Sequence, residues 1–84
     1  RMKILYFAWL RQKTGIDAED VEMPPEISDV AGLLDWLKER NSNFADALAD
    51  FDSIRVAVNQ EFAELDAPVA QGDEVAIFPP MTGG

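Results

Sequence analysis

The segment SDVAGLLDWLKER, residues 28–40, carries the clearest pattern in the chain and decides the predicted fold class. Its apolar side chains recur at intervals of three and four residues, as they do along one face of an α-helix. Ser28 is a favourable N-cap residue, and Asp29 places a negative charge in the first turn, where the helix dipole favours it. Lys38 and Arg40 put positive charge at the other end. We therefore predict one main helix with a buried stripe formed by Val30, Leu33, Leu34 and Leu37.

Strand patterns lie on both sides of this helix. Residues 3–9 (KILYFAW) are rich in aromatic and β-branched side chains, and residues 18–23 alternate weakly, so we predict a hairpin with a helical turn over 11–13 between its strands. Pro24 and Pro25 end the second strand, because neither can donate a ladder hydrogen bond. The other predicted elements are a short helix over 44–49, a strand over 53–59, a return strand over 62–65, and a last strand over 74–78 after a turn at Gly72 and Asp73.

The predicted order β-β-α-β-β indicates an α+β fold, the ubiquitin-like β-grasp, in which one main helix packs on one face of a mixed sheet. A right-handed crossover through the long helix would leave the last strand beside the first and parallel to it. We expect a β-grasp domain over residues 1–80 and an extended, flexible functional tail over residues 81–84. Arg1, which precedes Met2, is expected to be a remnant of cloning or processing.

Composition excludes several kinds of chemistry. The 84-residue chain has no cysteine and no histidine, so it offers no disulfide, thiolate metal site, cysteine nucleophile or imidazole base. Its net charge of −9 disfavours nucleic-acid binding, because phosphate contacts need clustered Lys and Arg. The acidic balance indicates solubility, or alternatively steering toward a basic partner. No apolar run approaches the roughly 20 residues of a membrane helix and no signal peptide is recognisable, so we expect a cytoplasmic protein without membrane contact.

The chain ends in a segment that has no strand or helix pattern, PPMTGG over residues 79–84. Pro80 keeps Pro79 extended, and the six steps from Phe78 to Gly84 span about 20 Å, enough to enter a narrow tunnel in another protein. Two residues without Cβ fit such a channel and leave the terminal carboxylate open to attack. The alternative is a frayed terminus that ends in glycine by chance. Gly-Gly at the end of a β-grasp pattern favours function.

The segment GDEVAIFPPMTGG, residues 72–84, resembles the C-terminal signature of the small subunit of molybdopterin synthase (MoaD). VAVNQ at 56–60 and ILYFA at 4–8 with Arg11 are similar to that family as well. The resemblance implies a sulfur carrier. An ATP-dependent adenylating enzyme of the E1 type (MoeB type) would adenylate Gly84, and a cysteine desulfurase or rhodanese-type donor would then leave a thiocarboxylate there.

The resemblance also implies partners and contact residues. The tail would enter the large subunit (MoaE type) of a heterotetramer and donate sulfur to cyclic pyranopterin monophosphate, forming the dithiolene of molybdopterin. The chain itself would bind no cofactor or metal, since ATP belongs to the activating partner, and it would act as a cosubstrate that is not catalytic alone. The implied insertion segment is Pro79, Pro80, Met81, Thr82 and Gly83, and the implied partner contacts are Phe7, Arg11, Phe62 and Phe78.

Other interpretations stay open at this level. Phe7 and Phe78 fit a core equally well, Arg11 fits an ordinary solvated charge, and Trp9 and Trp36 have no assigned role. A ubiquitin-like modifier joined through its last residue to lysines of target proteins also ends in Gly-Gly, and so does a sulfur carrier for thiamine or tRNA thiolation. Proteins of the thiamine-pathway and modifier classes usually lack the Pro-Pro segment.

Overall fold

The computed structural model describes residues 1–40, 42–47 and 54–80. The five described strands form one mixed sheet in the order β2-β1-β5-β3-β4, so the predicted α+β fold with a β-grasp sheet is confirmed. The elements are β1 Met2–Tyr6, α1 Trp9–Thr14, β2 Ala18–Val21, α2 Val30–Arg40, α3 Ser42–Ala47, β3 Arg55–Val58, β4 Glu61–Ala63 and β5 Glu74–Phe78.

The first and last strands lie side by side at the centre of the sheet. β1 and β5 run parallel, with Ile4 opposite Val75 and Tyr6 opposite Ile77. The outer pairs β1–β2, β3–β4 and β3–β5 are antiparallel. Parallel neighbours need a crossover connection, which includes α2. The carboxyl ends of β1 and β5 therefore meet at one edge of the sheet, where the chain leaves β5.

The core lies between α2 and one face of the sheet. All four residues of the predicted helical stripe are fully buried. They share one apolar cluster with alternate residues of the central strands, and the Phe44 ring of α3 stacks on the Tyr6 ring with 5.0 Å between centroids. The strand residues of this cluster are Met2, Ile4, Tyr6, Val21, Val56, Val75 and Ile77.

The first strand is shorter than predicted, and the difference is a correction. β1 ends at Tyr6, and Trp9 begins α1, which contains the helical turn expected over 11–13. Leu10 is completely buried, so this apolar stretch serves the core from a helix and not from a strand. The helix ends at Gly15, which adopts a left-handed conformation with φ 80°.

The remaining boundaries differ by a few residues. β2 ends at Val21, before the two prolines, although Met23 is still buried. β4 begins one residue earlier than predicted, because Asn59 and Gln60 both have positive φ and form a two-residue turn of the hairpin type. α3 begins two residues earlier than its predicted helix. Predicted strand and helix positions at residues 48, 49 and 53 lie outside the described residues.

The N-cap of α2 is Asp29, so the prediction of Ser28 was wrong by one position. The Gly32 amide donates to Asp29 Oδ1 at 2.8 Å, whereas the Ser28 carbonyl accepts from the Val69 amide. Both residue types are good caps, and the tertiary contacts of the helix end select between them. The Val30 and Ala31 amides, which have no partner within the helix, donate to the carbonyls of Ala67 and Leu65.

A polar network links the buried end of β1 to β2 and α2. The Tyr6 hydroxyl donates to Glu19 Oε2 at 2.7 Å, and Arg40 donates to Glu19 Oε1 at 3.2 Å. The Arg40 guanidinium also lies over the Trp36 ring, 4.8 Å from its centroid. Burial, followed by the hydrogen bond to Glu19, raises the pKa of the Tyr6 hydroxyl above its ordinary value. Trp36 and Trp9 are both partly buried and pack against the core.

In the described part of the chain, no helix combines the length and the apolar character that crossing a bilayer requires.

The N-cap assignment predicts unequal effects for two neighbouring substitutions. Asp29→Ala should lower the free energy of unfolding by about 1 kcal/mol, because it removes the acceptor for the Gly32 amide. Ser28→Ala is the matched control and should change it by less than about 0.5 kcal/mol. Urea unfolding of both variants measures the difference. A larger loss of unfolding free energy in Ser28→Ala than in Asp29→Ala would show that Ser28 caps the helix.

The Tyr6 hydroxyl predicts a pH-dependent stability. The pKa of the Tyr6 hydroxyl in the folded protein lies above its value of about 10 in the unfolded chain. The hydroxyl therefore makes its full contribution to the free energy of unfolding below pH about 10. This contribution declines as the pH rises further, because only the unfolded chain then loses the proton. Tyr6→Phe should cost about 1 kcal/mol at neutral pH, and its stability should approach that of the wild type above pH 10. Urea unfolding across this pH range measures the difference in free energy of unfolding between the wild type and Tyr6→Phe. A difference that does not narrow above pH 10 contradicts the raised pKa of Tyr6. Since Tyr6 is the only tyrosine, ultraviolet titration reports its ionisation directly.

Candidate functional site

The sheet face opposite α2 is the candidate site. The three described helices all place residues in the same core cluster, for example Leu10, Leu33 and Phe44. Side chains that alternate with the core residues along the central strands point to the other face. We call this surface the open face and define it by its apolar residues, which are Leu5, Phe7, Ala57, Phe62, Ala76 and Phe78.

A continuous apolar row crosses the open face. Phe62 is opposite Ala57, Ala57 is opposite Ala76, and Ala76 is opposite Leu5, so the row runs through β4, β3, β5 and β1. Two alanines at its centre make a shallow floor on which a partner surface can approach the backbone closely. Larger side chains border that floor on both sides.

Three phenylalanines lie on this face near the carboxyl ends of β1 and β5. Phe62 is 81% exposed and Phe7 is 45% exposed, so neither is a core residue. Phe78 is half-buried, and its ring lies 5.9 Å from that of Phe62, centroid to centroid. Contiguous exposed aromatic groups on a small domain are typical of protein–protein contact surfaces.

The other end of the same face is charged. Lys3 of β1 stands opposite Asp20 of β2 on one side and Glu74 of β5 on the other. Opposite charges at facing positions stabilise strand pairing, and charged side chains at the surface are hydrated. The open face is therefore apolar only toward the edge at which the chain leaves β5.

The chain leaves the sheet directly beside the aromatic side chains. Phe78 is the last residue of β5 and is paired with Arg55 of β3; Pro79 and Pro80 follow, half-buried and outside any strand. The predicted tail residues Met81, Thr82, Gly83 and Gly84 lie outside the described residues.

A groove of about 620 Å³ lies next to this exit. Phe62, Phe78 and Pro80 line one part of it, and Leu34 of α2 lines another. Its ionisable lining side chains among the described residues are Arg55 and Glu64. Over residues 1–40, 42–47 and 54–80, no three side chains of metal-ligating type cluster closely enough to hold an ion. The described geometry offers a binding surface beside Pro79 and Pro80, where the chain leaves β5.

The residues predicted to contact a partner are partly brought together. Phe7, Phe62 and Phe78 share the open face, whereas Arg11 is exposed on α1, outside that face. Their contact with a partner stays a prediction. The sequence prediction did not include Leu5, Ala57 and Ala76, which form most of the apolar row. The signal for Leu5 and Ala76 was present, because KILYF and EVAIF contain too few polar residues for a strand with one solvated face.

Comparison with known proteins covers nearly the whole chain. The sequence pattern of the ThiS family matches residues 4–84. The molybdopterin synthase sulfur carrier subunit of Escherichia coli (strain K12) is 39% identical over 83 residues, which cover 99% of each chain. The solved structure of the putative molybdopterin converting factor, subunit 1, of Pyrococcus furiosus has a TM-score of 0.78 at 33% identity and covers 95% of this chain and 97% of its own. The small archaeal modifier protein 1 of Haloferax volcanii has a TM-score of 0.79 at 29% identity, with the same coverage.

Proposed function

The chain belongs to the ThiS family, and from this premise we propose that it is the sulfur-carrier small subunit of a molybdopterin synthase. The observation that carries the proposal is the place where the chain leaves the sheet: Pro79 and Pro80, which precede Met-Thr-Gly-Gly in the sequence, lie at the edge of an exposed aromatic face. The full-length similarity to an E. coli protein of that name supports it.

The chemistry is proposed to take place at the Gly84 carboxylate. A carboxylate is a poor electrophile, so it must first be activated by an ATP-dependent adenylating enzyme of the E1 type. The outer sulfur of a persulfide on a donor of the cysteine desulfurase or rhodanese type then displaces AMP, and a thiol reduces the resulting acyl disulfide, which leaves a thiocarboxylate and a disulfide. Since the chain contains neither Cys nor His, the terminal carboxylate is the group we assign as the sulfur carrier.

The domain is proposed to recognise the large subunit through the open face. Phe62, the most exposed of the three phenylalanines, would enter an apolar pocket of the partner, and the alanine floor would allow close approach. Docking at this face would place Pro79 and Pro80 at the interface and direct residues 81–84 into the partner's active site. There the thiocarboxylate sulfur would be transferred to cyclic pyranopterin monophosphate, and two such transfers would form the dithiolene.

The proposal also covers the division of the chain and its assembly. Residues 1–80 would be the recognition domain and residues 81–84 the functional tail. The complex would be a cytoplasmic heterotetramer, and this chain would be its cosubstrate, not a catalyst by itself. Arg11, which is exposed on α1, would contact a partner from outside the open face.

A protein modifier is the second candidate function. The similarity to the small archaeal modifier protein 1 of H. volcanii favours it, since that structure matches the same fold at 29% identity. In this function Gly84 would form isopeptide bonds with lysines of target proteins. Recovery of such adducts as the main product, with no thiocarboxylate, would favour the modifier. A sulfur carrier for thiamine or tRNA thiolation would instead form the thiocarboxylate without supporting molybdopterin synthesis.

The first prediction of the proposal concerns Gly84. Incubation with the activating enzyme, ATP and a sulfur donor should raise the intact mass by the difference between one sulfur and one oxygen atom. Deletion of Gly84 should abolish both this change and molybdopterin formation in a reconstituted assay, because the sulfur-bearing carboxylate is then displaced by one residue. Deletion of Arg1 is a matched truncation at the other terminus and should have no effect. Undiminished molybdopterin formation without Gly84 would refute the proposal.

A second prediction concerns Phe62. Phe62→Ala should weaken binding to the large subunit at least about tenfold, because it removes an aromatic anchor, while the melting temperature changes by only a few degrees, because the ring is mostly exposed in the free domain. Ser28→Ala is the control, since Ser28 is exposed just before α2, outside both the open face and the groove. Isothermal titration calorimetry measures both. Equal weakening by the two substitutions would argue against the open face as the interface.

A further inference from the structure

Ala8 has a backbone conformation that is unusual for its residue type. Its φ of 56° and ψ of −131° are readily adopted by glycine and rarely by residues with a Cβ. The other non-glycine residues with positive φ in the described ranges are Asn59 and Gln60, which a two-residue hairpin turn explains. Ala8 lies at the second position of a β-turn of type II′, in which the Leu10 amide donates to the Phe7 carbonyl at 3.2 Å.

This turn joins β1 to α1 without a connecting loop. On the strand side, the Phe7 amide donates to the Ile77 carbonyl at 3.1 Å and extends the β1–β5 pairing by one residue. On the helix side, the Ala8 carbonyl accepts from the Arg11 amide at 3.1 Å. The backbone of Phe7 is thus held on one side by β5 and on the other by the first turn of α1.

The location of the turn connects it to the open face. Tyr6 is opposite Ile77, so Phe7 follows the register beside Phe78, the last residue before the two prolines. Negative φ at position 8 would direct the chain away from α1 and break the Leu10 hydrogen bond that limits the motion of Phe7. Unfavourable backbone conformations persist when the surrounding structure enforces them, and they concentrate at binding and catalytic sites.

We propose that Ala8 is a positioning residue whose backbone conformation, not its methyl group, holds Phe7 on the open face beside the tail exit for contact with the partner. The identity of that partner rests on the proposed function.

Two substitutions separate conformation from side chain. Ala8→Gly removes the Cβ that makes this backbone conformation unfavourable, so it should raise the melting temperature by a few degrees. Because the turn is kept, the affinity for the large subunit should stay within about threefold of the wild type. Ala8→Val disfavours positive φ because of its β-branched side chain, so it should weaken binding about tenfold. A lower melting temperature or weak binding in Ala8→Gly would overturn the proposal, even if Ala8→Val does not fold.

A double-mutant cycle with Phe7→Ala tests whether position 8 acts through Phe7. Phe7→Ala alone should weaken binding about tenfold, and adding Ala8→Val should weaken it no further, because the ring that the turn positions is already absent. If Ala8→Val weakens binding by a route that does not involve Phe7, the two fold-losses of affinity should multiply in the double variant. That outcome contradicts the proposal.

Hydrogen exchange provides a readout that does not need a partner. The Phe7 and Leu10 amides should exchange faster in Ala8→Val and remain protected in Ala8→Gly. If wild-type protein does not bind the large subunit, the proposed function is wrong, whereas the exchange rates still decide whether Ala8 holds Phe7. Unchanged protection of both amides in Ala8→Val would overturn the positioning role itself.

Discussion

The parallel pairing of β1 with β5 joins the two ends of the chain, and the other parts of the fold are arranged around it. Parallel strands cannot be linked by a tight turn, so the segment between them has to cross the sheet, and α2 lies within that crossover. The two strands end at the same edge because they point in the same direction. Phe7, Phe78 and the two prolines that follow Phe78 therefore lie together there, although some seventy residues separate the two phenylalanines in the sequence.

The central position of these strands also explains the two apolar faces. The helices bury one face, and the alternate residues leave an apolar row across the other. An isolated domain gains little from exposed aromatic rings, whereas a domain that docks on a partner gains their burial in the complex. In the proposed function, the sheet recognises the partner and the chain end carries the sulfur, with Pro79 and Pro80 between them.

The edge of the sheet at which the chain leaves β5 is stabilised by contacts with β2, α1 and α2. The Tyr6 hydroxyl is tied to Glu19, which is held in turn by Arg40, and the turn at Ala8 directs the chain immediately into α1. A surface that is ordered before binding loses less conformational entropy when a partner covers it. These contacts order this edge of the sheet in the free domain, before any partner covers it.

Local patterns in the sequence determined the helical stripe of α2, the apolar segments of β1 and β5, and the Pro-Pro and Gly-Gly segments of the tail. They did so because helix and strand periodicity, proline geometry and the absence of Cys and His can all be recognised without knowing which segments are neighbours. Only the tertiary structure decided that Asp29 and not Ser28 caps α2, that Trp9 begins a helix, and that Leu5, Ala57 and Ala76 form one row beside the exposed phenylalanines. Each of these depends on strand register or on contacts between distant segments, and a change of one residue in register would move every side chain of a strand to the opposite face.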